Sequence, residues 1–212
     1  MKTIRHPGRL TLVALGLAAV AALQACAPLA VGGAALTGAM VATDRRSSGA
    51  QLDDQGIELR AANRFRDQMG SRARINVTSY NRRLLLTGEV ANTKDKELAE
   101  TLAGQVDNVT GVQNELEVAN SPTFTERAED GLITGKVKAG LVDTKQVSTN
   151  AFKVVTDRGI VYLMGRVTQR EADIATQVAR TTKGVQRVVR VLEIISEEEL
   201  ARIAPKADAP KQ

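Results

Sequence analysis

Two stretches of this chain repeat one another, and the repeat limits its fold more than any other feature. The first copy reads Ala73-Arg74-Ile75-Asn76-Val77-Thr78, a turn, Leu84-Leu85-Leu86-Thr87-Gly88-Glu89-Val90, and later Gly111-Val112-Gln113-Asn114-Glu115-Leu116-Glu117-Val118. The second reads Ala151-Phe152-Lys153-Val154-Val155-Thr156, a turn at Asp157-Arg158-Gly159, Val161-Tyr162-Leu163-Met164-Gly165-Arg166-Val167, and later Gly184-Val185 through Ile194. Alternating and β-branched residues about a turn make the first two segments of each copy a hairpin, and the third another strand. Between hairpin and third strand, Thr93 to Asp107 and Thr168 to Thr181 carry helical spacing, with Leu98, Leu102 and Val106, or Ala172, Ala175 and Ala179, on one side. Ahead of each hairpin lies another helix, marked by Ile57, Ala61 and Phe65 in one copy and Ile133, Val137 and Leu141 in the other. Each unit is α-β-β-α-β. Gly88 to Gly111 spans 23 positions and Gly165 to Gly184 spans 19, a difference of about one helical turn, so the first copy is expected to have the longer second helix.

A leader precedes the repeat. Lys2, Arg5 and Arg9 form a basic start, Leu10 to Ala22 is an apolar run too short for a finished membrane span, and Leu23-Gln24-Ala25 leads into Cys26, the one cysteine of the chain. This resembles the lipobox of bacterial lipoproteins, which implies that Cys26 is acylated after cleavage of residues 1–25. Ala27 in the following position implies, by the same resemblance, delivery to the outer membrane. Residues 26–50 read as the lipidated cysteine and a flexible tether, because the stretch is rich in Ala and Gly and then polar. Domain boundaries follow at 51–119, 120–126 for a linker, 127–196, and 197–212 for a tail. Asp53-Asp54 reads as a helix start.

Composition narrows function. Without the leader's three basic residues the net charge of +5 falls to +2, and two Tyr, three Phe and no Trp leave too few rings for a base-stacking platform, so no nucleic acid is expected. The only His departs with the leader, the only Cys is consumed by acylation, and no phosphate-binding loop or nucleophile-base pair is visible; no metal, no cofactor and no enzyme are expected. Residues 51–119 hold 9 Lys and Arg against 11 Asp and Glu, whereas residues 127–196 hold 12 against 7, so only the second copy should be drawn to an anionic surface.

Leu86-x-Gly88-x-Val90 and Leu163-x-Gly165-x-Val167, each followed by a helix and a Gly-Val strand, resemble the BON domain. Two copies behind a lipobox, with Ala42-Thr43-Asp44-Arg45-Arg46-Ser47 in the tether, resemble the DolP family of dual BON-domain outer-membrane lipoproteins. The resemblance implies an α+β protein of two tandem αββαβ domains, each a three-stranded mixed sheet with two helices packed on it. It further implies a non-enzymatic lipoprotein facing the periplasm, binding anionic phospholipid, supporting envelope integrity and acting in some members at the division site. Carried over to this sequence, the lipid-binding residues are Leu132, Ile133, Lys136, Lys138 and Leu141, on the first helix of the second domain. The alternative is an adaptor for outer-membrane assembly or cell-wall remodelling proteins.

Overall fold

The computed structural model describes residues 44–203. The first copy comprises α1 (Ser48–Met69), β1 (Ala73–Tyr80), β2 (Arg83–Val90), α2 (Thr93–Gly104), β3 (Gly111–Asn114) and β4 (Glu117–Val118). The second comprises α3 (Phe124–Thr144), β5 (Phe152–Asp157), β6 (Ile160–Val167), α4 (Gln169–Thr181) and β7 (Arg187–Ile194), followed by a short helix α5 (Glu197–Ile203). In each copy the hairpin is antiparallel and the third strand runs parallel to the second, so both sheets are mixed. The third strand of the first copy is broken into β3 and β4, both paired to β2. The break occurs where Leu116 turns into the core and its N–H is taken by the Asn114 side chain at 3.3 Å.

The central strands are buried on both faces. Leu84, Leu86 and Val90 of β2 pack against Ile57, Ala61 and Phe65 of α1, and Val161, Leu163 and Val167 of β6 pack against Ile133, Val137 and Leu141 of α3. The alternate residues do something else: Leu85 of β2 joins Tyr80, Ile160, Tyr162, Met164 and Val191 in a core shared by the two domains. The sheets therefore face one another, with helices on the outer side of each. Lys153 to Glu58 at 2.8 Å, Asn81 to Glu193 at 2.7 Å and Arg158 to Glu89 at 3.1 Å rim that shared core. This two-sided burial explains the unbroken apolar runs Leu84 to Leu86 and Ile160 to Met164, which alternate in destination rather than in polarity.

Several sequence expectations change. Helix α1 starts at Ser48, inside the span expected to be tether, because Ser47 caps it by accepting from Ala50 N–H at 3.1 Å. Asp54 is not a helix start: it is buried in mid-helix and accepts from Asn81 N–H at 2.8 Å and Arg82 N–H at 2.7 Å, fastening the β1–β2 turn. Asp130 of α3 does the same for Arg158 and Gly159 in the β5–β6 turn. Helix α3 begins at Phe124, within the expected linker, on a capping box formed by Thr123 and Glu126. The second helices are 12 and 13 residues long, so the first copy does not have the longer one. Register shows why. Gly111 pairs with Arg83 and Arg187 pairs with Ile160, which makes Gly111 the counterpart of Arg187 and leaves Asn108 as the counterpart of Gly184. Both of the latter have positive φ, 71° and 103°, a conformation that Asn tolerates better than most residues.

Gly88 and Gly165 are bound by a common constraint, a close approach of backbone at the start of the hairpin. A Cβ at Gly88 would lie 2.0 Å from the Arg74 carbonyl oxygen, and one at Gly165 would lie 2.4 Å from that of Ala151.

Candidate functional site

Helix α3 is set on its sheet by one apolar face and held at its start by reciprocal caps. Thr123 Oγ1 accepts from Glu126 N–H at 3.2 Å, and the Glu126 carboxylate accepts from Thr123 N–H at 2.6 Å and from the Thr123 hydroxyl at 2.8 Å, the last two holding this exposed carboxyl below its ordinary range. At about 100° per residue the inward positions are Ile133, Val137 and Leu141. Ile133 and Leu141 thus leave the expected lipid-binding set: both are buried in the second-domain core, 7% and 0% exposed. Leu132, Lys136 and Lys138 project outward, Leu132 with 64% of its surface exposed.

The outward face carries more than sequence reasoning found. Phe124 is 79% exposed at the first helical position, and Val142, 18 residues on, is 58% exposed on the same azimuth. Ala128, Gly135 and Ala139 lie exposed between them, giving an apolar ridge about 27 Å long with Leu132 at its side. Phe124 falls within the span expected to be linker. The Thr123-x-x-Glu126 pattern is the signal that places it on the helix.

Cations border the ridge. Arg127, Lys136, Lys138 and Lys145 are exposed and lie in no ion pair among the described residues, as do Arg170, Arg180 and Lys183 around α4 in the same layer. Exposed Glu129 and Asp143 are the acids on that face of α3. By contrast, the basic residues turned toward the first domain are consumed in pairs: Arg158 with Glu89 at 3.1 Å and Arg187 with Glu115 at 3.3 Å. The outer layer of the second domain thus carries cations that no acidic side chain among the described residues pairs with.

A recess of about 450 Å³ lies beside the start of α3, lined by Glu117, Glu129, Asp130, Arg158 and Gln186 among others. Its central groups are occupied, since Asp130 holds the β5–β6 turn and Arg158 is bound to Glu89 and to the Asn120 carbonyl. Among the described residues no group of three or more His, Cys, Asp or Glu side chains could hold a metal ion. No described helix is long and apolar enough to cross a membrane. Cys26 lies outside the described residues.

A BON-domain family model matches residues 53–120 and 129–196. Outer membrane lipoprotein DolP of Haemophilus influenzae is 36% identical over 185 residues, 86% of this chain and 95% of that relative. This chain belongs to the DolP family of dual BON-domain proteins. Two further relatives are the 21 kDa hemolysin of Actinobacillus pleuropneumoniae, 35% identical over 72% of this chain and 79% of that protein, and osmotically-inducible protein Y of Escherichia coli, 30% identical over 65% of this chain and 70% of its own length. Within the DolP-family architecture, the α+β fold with two mixed sheets agrees with the reading of the repeat.

Proposed function

We propose that this protein is an outer-membrane lipoprotein, anchored through acylated Cys26 with both domains in the periplasm, that binds anionic phospholipid through the outer face of α3. It supports envelope integrity without catalysing a reaction, and division sites are where that support is expected to concentrate. The DolP relative is named as an outer-membrane lipoprotein, and the leader ending at Cys26 fits that station. The observation that carries the lipid reading is the exposed ridge of Phe124, Leu132 and Val142 bordered by unpaired Arg127, Lys136 and Lys138. Apolar contact and up to about 1 kcal/mol per nearby cation together give a modest, salt-sensitive affinity, which is enough for a domain already tethered at the bilayer.

The described residues 44–203 lie in one compact unit, and sedimentation of residues 43–212, which lack Cys26, with vesicles tests the reading. Binding to phosphatidylglycerol vesicles, weak binding to phosphatidylcholine vesicles, and loss of the former in Lys136→Glu with Lys138→Glu are the expected results. Equal sedimentation of that double variant and its parent at low salt would remove the assignment. The adaptor reading is favoured by a separate observation, the exposed Leu52 and Leu59 at i and i+7 on α1 of the acidic first domain. Vesicle binding that is indifferent to α3 would bring it forward.

A further inference from the structure

The anchor-side segment does not hang free of the fold. Arg45 is buried against the second domain, its side chain 7% exposed and that of Glu171 4%. The guanidinium grips the carboxylate with two bonds, Nη1 to Oε2 and Nη2 to Oε1, each 2.7 Å. Nη1 also donates to the Arg166 carbonyl at 3.0 Å, and Arg166 Nη1 donates back to the Arg45 carbonyl at 3.3 Å. Arg46, the next residue, turns the other way. Its Nη1 donates to Asp54 Oδ2 of the first domain at 2.7 Å, and its guanidinium lies 4.4 Å from the centre of the Tyr80 ring, part of the shared core. Two consecutive arginines therefore hold two different domains, and each binds a carboxylate that already secures local structure. Glu171 closes the capping box of α4 through Thr168, and Asp54 fastens the β1–β2 turn.

We propose that residues 44–47 are an interdomain strap, with Arg45 as its positioning residue, that holds the two sheets face to face. The strap also moves the point from which the tether leaves the folded unit. Chain order would place that exit beside α1 of the first domain, but Arg45 carries it to the N-terminal end of α4, in the same outer layer as α3. Arginine is needed for this. A lysine presents one point charge and cannot span both carboxylate oxygens while also reaching the Arg166 carbonyl.

Domain opening can be read without lipid, so the test is independent of the membrane reading. Residues 43–212 contain no cysteine, because the only one is Cys26. Met164→Cys places a thiol in the core shared by the domains, and Val137→Cys places one in the helix-facing core of the second domain alone, both at positions without exposure. Thiol-labelling rates at 164 report separation of the sheets, and rates at 137 report unfolding of the domain. Arg45→Ala should raise the rate at 164 at least about tenfold and leave that at 137 unchanged, since the loss of a buried pair is felt where the pair acts. Arg45→Lys should give most of the same increase, and Arg45→Glu combined with Glu171→Arg should restore slow labelling relative to Arg45→Glu alone. An unchanged rate at 164 in Arg45→Ala, or equal increases at 164 and 137, would overturn the proposal.

Discussion

Phe124→Ser is the sharpest perturbation of the membrane surface, because the side chain is large, outward and free of the core. Burying a whole Phe is worth up to about 3 kcal/mol, and with four-fifths of this one exposed and part of the ring staying in the headgroup region, about 2 kcal/mol is at stake. That is roughly a thirtyfold loss of partition into phosphatidylglycerol vesicles, against roughly tenfold for Leu132→Ser, which is smaller and less exposed. The thermal midpoint should not move in either variant. The protein has no Trp, so Phe124→Trp and Leu132→Trp supply single fluorescent reporters whose emission should shift to the blue on vesicle binding, the former more strongly. If Phe124→Ser partitions like its parent while Lys136→Glu with Lys138→Glu does not, attraction is electrostatic alone and the ridge has no part in it.

Three further outcomes are expected. Gly88→Ala should destabilise more than Gly165→Ala in chemical denaturation, each by about 3 kcal/mol or more, because both meet a backbone carbonyl and only Gly88 also has a φ of 116°; a cost below about 1 kcal/mol at Gly88 would contradict so close an approach of β1 and β2. Burial pushes the Glu171 carboxyl up, but the Arg45 guanidinium and the Thr168 N–H outweigh it and hold the carboxyl below its ordinary value. Its contribution is therefore complete above the unfolded-state value and lost as pH falls through the lower folded value, so Arg45→Ala should move the acid unfolding midpoint of residues 43–212 to higher pH; an unmoved midpoint would count against the pair. Cys26→Ala should abolish incorporation of a fatty-acid analogue, and equal labelling of variant and parent would refute acylation at that residue.

The repeat and the helix-facing cores are legible in the sequence because both rest on periodicity. Ile57, Ala61 and Phe65, or Ile133, Val137 and Leu141, recur at helical spacing whatever the surroundings, and both triads are buried. Register is harder: the Gly-Val pair at Gly111 suggests itself as the match to Gly184, whereas the matching position is Asn108, recognisable only by its left-handed backbone. Helix starts move for a related reason. Ser47 sets one through a single hydrogen bond and Thr123 the other through a reciprocal pair with Glu126, interactions that are short-range and leave a weak trace beside the apolar pattern. Residues 44–47 stand out in the sequence only as part of a tether motif, and nothing there shows what they hold. Arg45 and Glu171 are 126 positions apart, and an arginine in a polar stretch looks solvated until the fold supplies a buried carboxylate. Likewise, placing Ile133 and Leu141 among lipid contacts treats one helix as a single surface, although two of its faces have different work.

The paired-sheet architecture also decides how the lipid reading has to be tested. Separating the domains is the natural way to assign binding to one of them, yet Ile160, Tyr162, Met164 and Val191 are covered only because the first domain's sheet lies over them. Cutting the chain at the linker uncovers this face, and loses Arg45 from Glu171 and Glu89 from Arg158. A second domain alone would then present two surfaces to a vesicle: the outer α3 ridge, selective for anionic headgroups, and the bared sheet, apolar and indifferent to them. Residues 127–196 should accordingly bind phosphatidylcholine as well as phosphatidylglycerol vesicles, with a component that survives high salt, while residues 43–212 bind phosphatidylglycerol in a salt-sensitive manner. Tyr162→Lys with Met164→Lys should abolish the salt-resistant component in the isolated domain, by charging the bared sheet without touching α3. If the isolated domain instead shows the same headgroup selectivity and salt dependence as residues 43–212, the sheet face is not sticky when uncovered, and the shared core contributes less to joining the domains than its burial implies.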